Sequence, residues 1–170
     1  MGLMALLATV TMLFVAFTAA LMVRRSSADW APVALPGILW ANTAVLLLSS
    51  SALEGARAAV RRGRADRAGR LLDIAALLGL LFLAGQILAW TRLVRQGVLL
   101  PGRPHAAFFY MLSAVHAAHL LGGLAALAWT RRRLSRGVYV RRAAGLTHAA
   151  IYWHFVGGVW LYVFGLLLLF

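Results

Sequence analysis

The stretch YWHFVGGVWLYVFGLLLLF, residues 152–170, holds no charged side chain. Preceded by GLTHAAI, it extends an uncharged run from 145 to 170. That is longer than the ~20 residues a helix needs to cross a bilayer core. Four further predominantly apolar stretches precede it, at 2–23, 36–56, 71–91 and 106–130. The connections are short and rich in Arg, Pro, Gly and Ser: RRSSADWAPVALP, RAAVRRGRADRAGR, VRQGVLLPGRP and RRRLSRGVYVRR. None has room for a domain. The reading is an all-α polytopic membrane protein, a bundle of five transmembrane helices forming one domain over 1–170.

Composition agrees with that class. The chain is 63% hydrophobic and 12% charged, against roughly half and a quarter in soluble domains. The first stretch reads as a retained helix rather than a signal peptide, because its first charge, Arg24, follows the apolar run instead of preceding it. There is no cysteine. Disulfides, thiolate metal sites, thioether-linked haem and iron–sulfur clusters are excluded.

The net charge is +13, and all 17 basic residues are Arg. Such a balance can signal nucleic acid, but these residues lie between apolar runs, as interfacial Arg does in membrane proteins. No nucleic-acid partner is expected. With five spans, the second and fourth connections share a side with the N-terminus. They carry Arg57, Arg61, Arg62, Arg64, Arg67, Arg70, Arg131, Arg132, Arg133, Arg136, Arg141 and Arg142; the other side has only Arg24, Arg25, Arg92, Arg95 and Arg103. The positive-inside rule then predicts a cytoplasmic N-terminus and an outside C-terminus.

Small residues suggest where helices meet. Ala114, Ala118, Gly122 and Ala126 recur every four residues, and Ala149, Gly157 and Gly165 every eight. Gly157 and Gly158 read as helix–helix contact points.

Polar groups inside spans are few, and each is costly unless it faces protein or water. His116 and His119 share a face of the fourth helix; His148 and His154 lie on the fifth. Gln86 is on the third, and Asn42, Ser49, Ser50, Ser51 and Glu54 are on the second. Asp73 reads as opening the third helix, where a carboxylate suits the dipole. The histidines have two readings: haem or metal ligands, or neutral imidazoles bonding between helices. His116 and His119 are only about 4.5 Å apart along the axis, so they cannot serve haems in opposite leaflets. No carboxylate or thiolate cluster favours copper or zinc. No Ser–His–Asp set, phosphate loop or zincin motif is present, so no catalytic or metal-ligating residues are expected in the chain.

Five segments carry a resemblance. YWHFVGGVW is similar to the last-helix signature of subunit III of haem–copper cytochrome c oxidases, commonly YWHFVDVVW. FFYMLSAVHAAHLLGG resembles that family's FF…TG.HGLHV..G, aligning His116, His119 and Gly123. FLAGQILAW, with Gln86 and Trp90, is similar to FL..Q..EW. NTAVLLLSSS resembles NT..LL.SS, and MGLMALLATVTMLF resembles LGMWLFLASEVMFF. The segments fall in the family's order and span nearly the whole chain, and they fit its short five-helix bacterial form.

The resemblance implies a non-redox accessory subunit of a respiratory oxidase in the bacterial inner (plasma) membrane. It would stabilise the catalytic subunit and bind phospholipid in its cleft. Haem and copper would sit in a partner, subunit I, with subunit II alongside, and this chain would hold no cofactor. His116, His119, His154, Trp153, Gln86, Glu54 and Arg57 are the candidate lipid-binding or structural polar residues. Two alternatives are an accessory subunit of another respiratory enzyme, such as nitric oxide reductase, and a haem-binding membrane cytochrome.

The chain departs from the family at its intramembrane acids. Val10, Ala89, Thr147 and Gly157 stand where the family commonly has carboxylates. Glu54 and Asp73 remain, and His154 is expected to keep its motif without an acid partner.

Overall fold

The computed structural model describes residues 2–28, 30, 35–98, 104–136 and 144–169. They form five helices: α1 Gly2–Arg25, α2 Ile38–Arg61, α3 Ala65–Arg95, α4 Pro104–Ser135 and α5 Ala144–Leu169. All five are long and apolar enough to cross a membrane, and no strand occurs among the described residues.

The helices outrun the apolar stretches that mark them. The Arg-rich segment 57–70 is two helix ends joined at Arg62–Arg64, not a loop. Gly63, at φ 70°, reverses the chain there in the left-handed region that glycine enters without strain. Arg62, Gly63 and Arg64 donate their N–H groups to Ala58, Val60 and Ala59, closing the end of α2. Long Arg side chains explain the extension, since they reach the interface from helical positions. Pro104 opens α4, where its missing N–H costs nothing. Arg103, Arg141 and Arg142 lie outside the described residues.

The Arg-rich connections share one end of the bundle. Arg131 on α4 bonds Asp73 on α3 through Nε at 2.9 and 3.1 Å. A polar recess there is lined by Asp66, Arg70, Arg131 and Ser135. Asp73 therefore does not open α3, which begins at Ala65 with Asp66 in its first turn; it lies two turns in and pairs with Arg131. The start of α1 meets this end too, since Leu3 and Leu6 line a groove with Trp129 and Gly145.

Packing centres on α2, α3, α4 and α5, while α1 makes its main contacts, few in number, with α4 and α5. Two polar contacts bind α2 to α3: Asn42 Nδ2 donates to the Phe82 carbonyl at 2.9 Å, and Ser49 Oγ to that of Ala75 at 2.8 Å. A Cβ on Gly85 would stand 2.0 Å from Asn42 Oδ1, so a larger residue there must displace the Asn42 amide. Trp153 of α5 is fully buried, its indole lying over Gly79 of α3 and Gly123 of α4; a Cβ would meet the ring at 2.6 and 3.0 Å.

These close approaches replace those expected from the small-residue repeats. Ala114, Ala118 and Gly122 face outward. A Cβ on Gly157 would come no closer than 3.8 Å to Ser50 Oγ, and one on Gly158 or Gly165 meets nothing within 4 Å. Gly157 and Gly158 are not contact points within this chain. Every glycine in a membrane helix looks alike in sequence; the decisive ones are marked by a large ring or an amide on the facing helix.

Candidate functional site

The interior polar residues separate into three places. The first is the bundle centre. His116 is fully buried between the rings of Phe82 and Trp160, at centroid distances of 5.7 and 5.2 Å. Trp160 Nε1 donates to Thr43 Oγ1 at 3.0 Å, and Trp90 Nε1 to Ser113 Oγ at 2.9 Å. Gln86 sits one turn from both Phe82 and Trp90 on α3 and is equally buried. Neither the Gln86 amide nor the His116 imidazole has a hydrogen-bond partner among the described residues. Trp153 belongs to this packed interior. Neither Gln86 nor His116 has open surface.

The second place is a groove of 420 Å³ at the Arg-rich end, between α1, α4 and α5. Leu3, Leu6, Trp129, His148 and Tyr152 help line it. Arg133 lies over the Trp129 ring at 4.3 Å, a cation–π contact at the rim. Tyr152 Oη donates to the His119 carbonyl at 3.0 Å, and His119 Nδ1 to that of Val115 at 2.8 Å. Of the candidate residues none lines this groove; His148, which was not among them, does. An imidazole at a helix start carries no sequence mark for a groove built by three helices.

The third place is the seam of α2 and α5. Glu54 Oε1 accepts from Arg57 Nη1 at 2.6 Å and from His154 Nε2 at 2.7 Å. His154 thus has an acid partner after all, contrary to the expectation from Gly157. The acid comes from α2, not from its own helix. Glu54 is 44% exposed at its side chain, His154 36% and Arg57 26%. Beside them a recess of 180 Å³ runs past Ser50, Gly157, Gly158 and Leu161.

Two of the other acid-replacing positions are apolar and buried. Val10 and Ala89 are buried at 2% and 0% exposure, so apolar packing fills both. A carboxylate at either would be buried, and costly unless another group satisfied it.

Five long apolar helices define a multi-pass membrane protein. The profile of the family described as Cytochrome c oxidase subunit III matches residues 2–170. Among curated relatives, "Cytochrome c oxidase subunit 3" of Synechocystis is 34% identical over 87% of this chain and 65% of its own length. The protein so described in Corynebacterium diphtheriae is 31% identical over 72% of this chain and 60% of its own. A "Probable cytochrome c oxidase subunit 3" of Nocardia farcinica is 31% identical over 72% and 61%. The chain thus spans just under two thirds of these relatives' length. It belongs to the cytochrome c oxidase subunit III family.

Proposed function

We propose that this chain is a non-redox accessory subunit of a respiratory haem–copper oxidase complex. It stabilises a catalytic partner, corresponding to subunit I, which carries the haem and copper, with subunit II in the same assembly. The observation that carries the reading is the family match along residues 2–170, extending over all five helices. Packing supports a structural role: His116 is buried between aromatic rings and Gln86 is buried too, rather than presented to a substrate.

Phospholipid occupies the groove at the Arg-rich end. Its apolar walls suit acyl chains, and Arg133 at the rim suits an anionic headgroup. The membrane is the bacterial inner membrane, with the Arg-rich end cytoplasmic and the C-terminus outside.

The test is co-purification. An affinity tag on this chain should bring down a haem- and copper-containing oxidase from mild detergent, and the separated chain should show no Soret band. Recovery with a nitric oxide reductase instead would select that alternative. A haem on the isolated chain would overturn the accessory reading.

A further inference from the structure

The α2/α5 seam has a surface that a lipid-facing helix should not have. Glu54 lies seven residues before the end of α2 at Arg61, about 10 Å into the helix, and His154 about 15 Å from the start of α5. At that depth an ionisable cluster is expected to face protein or water. Within this chain Glu54, Arg57 and His154 remain partly exposed. Both bonds to Glu54 fall on Oε1, and its Oε2 has no partner among the described residues. By composition α2 is also the least apolar of the five spans.

The rest of the seam is shaped for close approach. Gly158 offers open space, and the recess beside it, at 180 Å³, has the size of one large side chain rather than of a lipid tail. Exposed Leu47 and Leu161 flank it. Towards the far end, Trp40 packs edge-on against Phe164 at 5.0 Å while staying 62% exposed.

We propose that a transmembrane helix of a partner subunit covers this seam, seats a large apolar side chain over Gly158 and donates a hydrogen bond to Glu54. The inference rests on the accessory-subunit reading and adds the docking face. A phospholipid fits less well, because the cluster lies below headgroup level.

The chain has no cysteine, so single-cysteine variants are clean probes. A thiol-attached benzophenone is placed at Gly158→Cys or Leu161→Cys, and at Leu77→Cys or Ile87→Cys on the exposed face of α3. Illumination in native membranes should link the seam positions to another polypeptide and the α3 positions to lipid alone. In parallel, Gly158→Leu should leave unfolding of the free chain unchanged. It should lower the oxidase recovered with the tagged chain by about tenfold, as overpacking a close helix contact does. Lipid-only adducts at the seam, with co-purification intact, would overturn the docking face and leave the functional reading standing. If the unmodified tagged chain recovers no oxidase at all, the functional reading falls, and the docking face falls with it.

Discussion

His154 Nε2 and Glu54 Oε1 stand 2.7 Å apart although a hundred residues separate them in the chain. The contact ties the last helix to the second where neither sequence motif contains the other's residue. A double-mutant cycle of Glu54→Gln and His154→Gln should give a coupling of about 0.5–3 kcal/mol in unfolding free energy. Additive single effects would mean that the two side chains do not interact.

The Trp153 slot should be the most size-sensitive place in the bundle. Gly79→Val must displace an indole whose nearest atom would lie 2.6 Å from the new Cβ. We expect a loss of about 1–3 kcal/mol, read by thermal or denaturant unfolding in detergent. Gly158→Val, with nothing within 4 Å, should change the free chain's stability far less. Equal losses at the two positions would contradict the packing described.

Gly85 and Asn42 should show compensation. Gly85→Ala puts a Cβ onto the Asn42 amide and should destabilise α2 against α3. Adding Asn42→Ala removes the clash along with the bond to the Phe82 carbonyl, so the double variant should be more stable than Gly85→Ala alone. A further drop in the double variant would show that the amide had moved aside.

His116→Phe should keep or raise stability. The imidazole is enclosed by Phe82 and Trp160, and its two nitrogens have no partner among the described residues. Replacing such a group by an apolar ring of similar shape removes a desolvation cost. A loss above about 2 kcal/mol would point to hydrogen bonding at this imidazole.

The Arg131–Asp73 pair is expected to matter little. Both side chains are more than a third exposed, and such pairs contribute about 0–1 kcal/mol, less in salt. Asp73→Asn should shift unfolding within that range, and raising the salt concentration should shrink the difference. A larger, salt-insensitive loss would place the pair in a buried setting.

The helices were legible because each apolar run exceeds bilayer length, and their ends were not, because Arg continues a helix as readily as it ends one. Family membership was legible in short motifs spread along the chain. Partnerships across helices were not. Asp73 looked like a helix-opening acid and is an inter-helix ion pair; Gly157 and Gly158 looked like contacts and make no tight approach within this chain. His154 looked bereft of an acid, because an acid was sought at the motif position beside it on α5. Periodicity places a residue on a face of its own helix, and only the helix packed opposite decides what that face meets.

The sparse docking of α1 bears on how the chain is assembled. Among the described residues a side-chain hydrogen bond joins α1 to α5, between Thr18 and Tyr162 at 2.8 Å, and the main neighbours of α1 are α4 and α5. The contacts of α1 are therefore complete only once α5 has been made, since synthesis runs from α1 towards α5. The partner of α2 is different: α3 follows it across a three-residue turn, so their shared contacts require no later helix. Neighbours in sequence are thus neighbours in space in the middle of the five helices, while α1 depends on the two helices farthest from it along the chain.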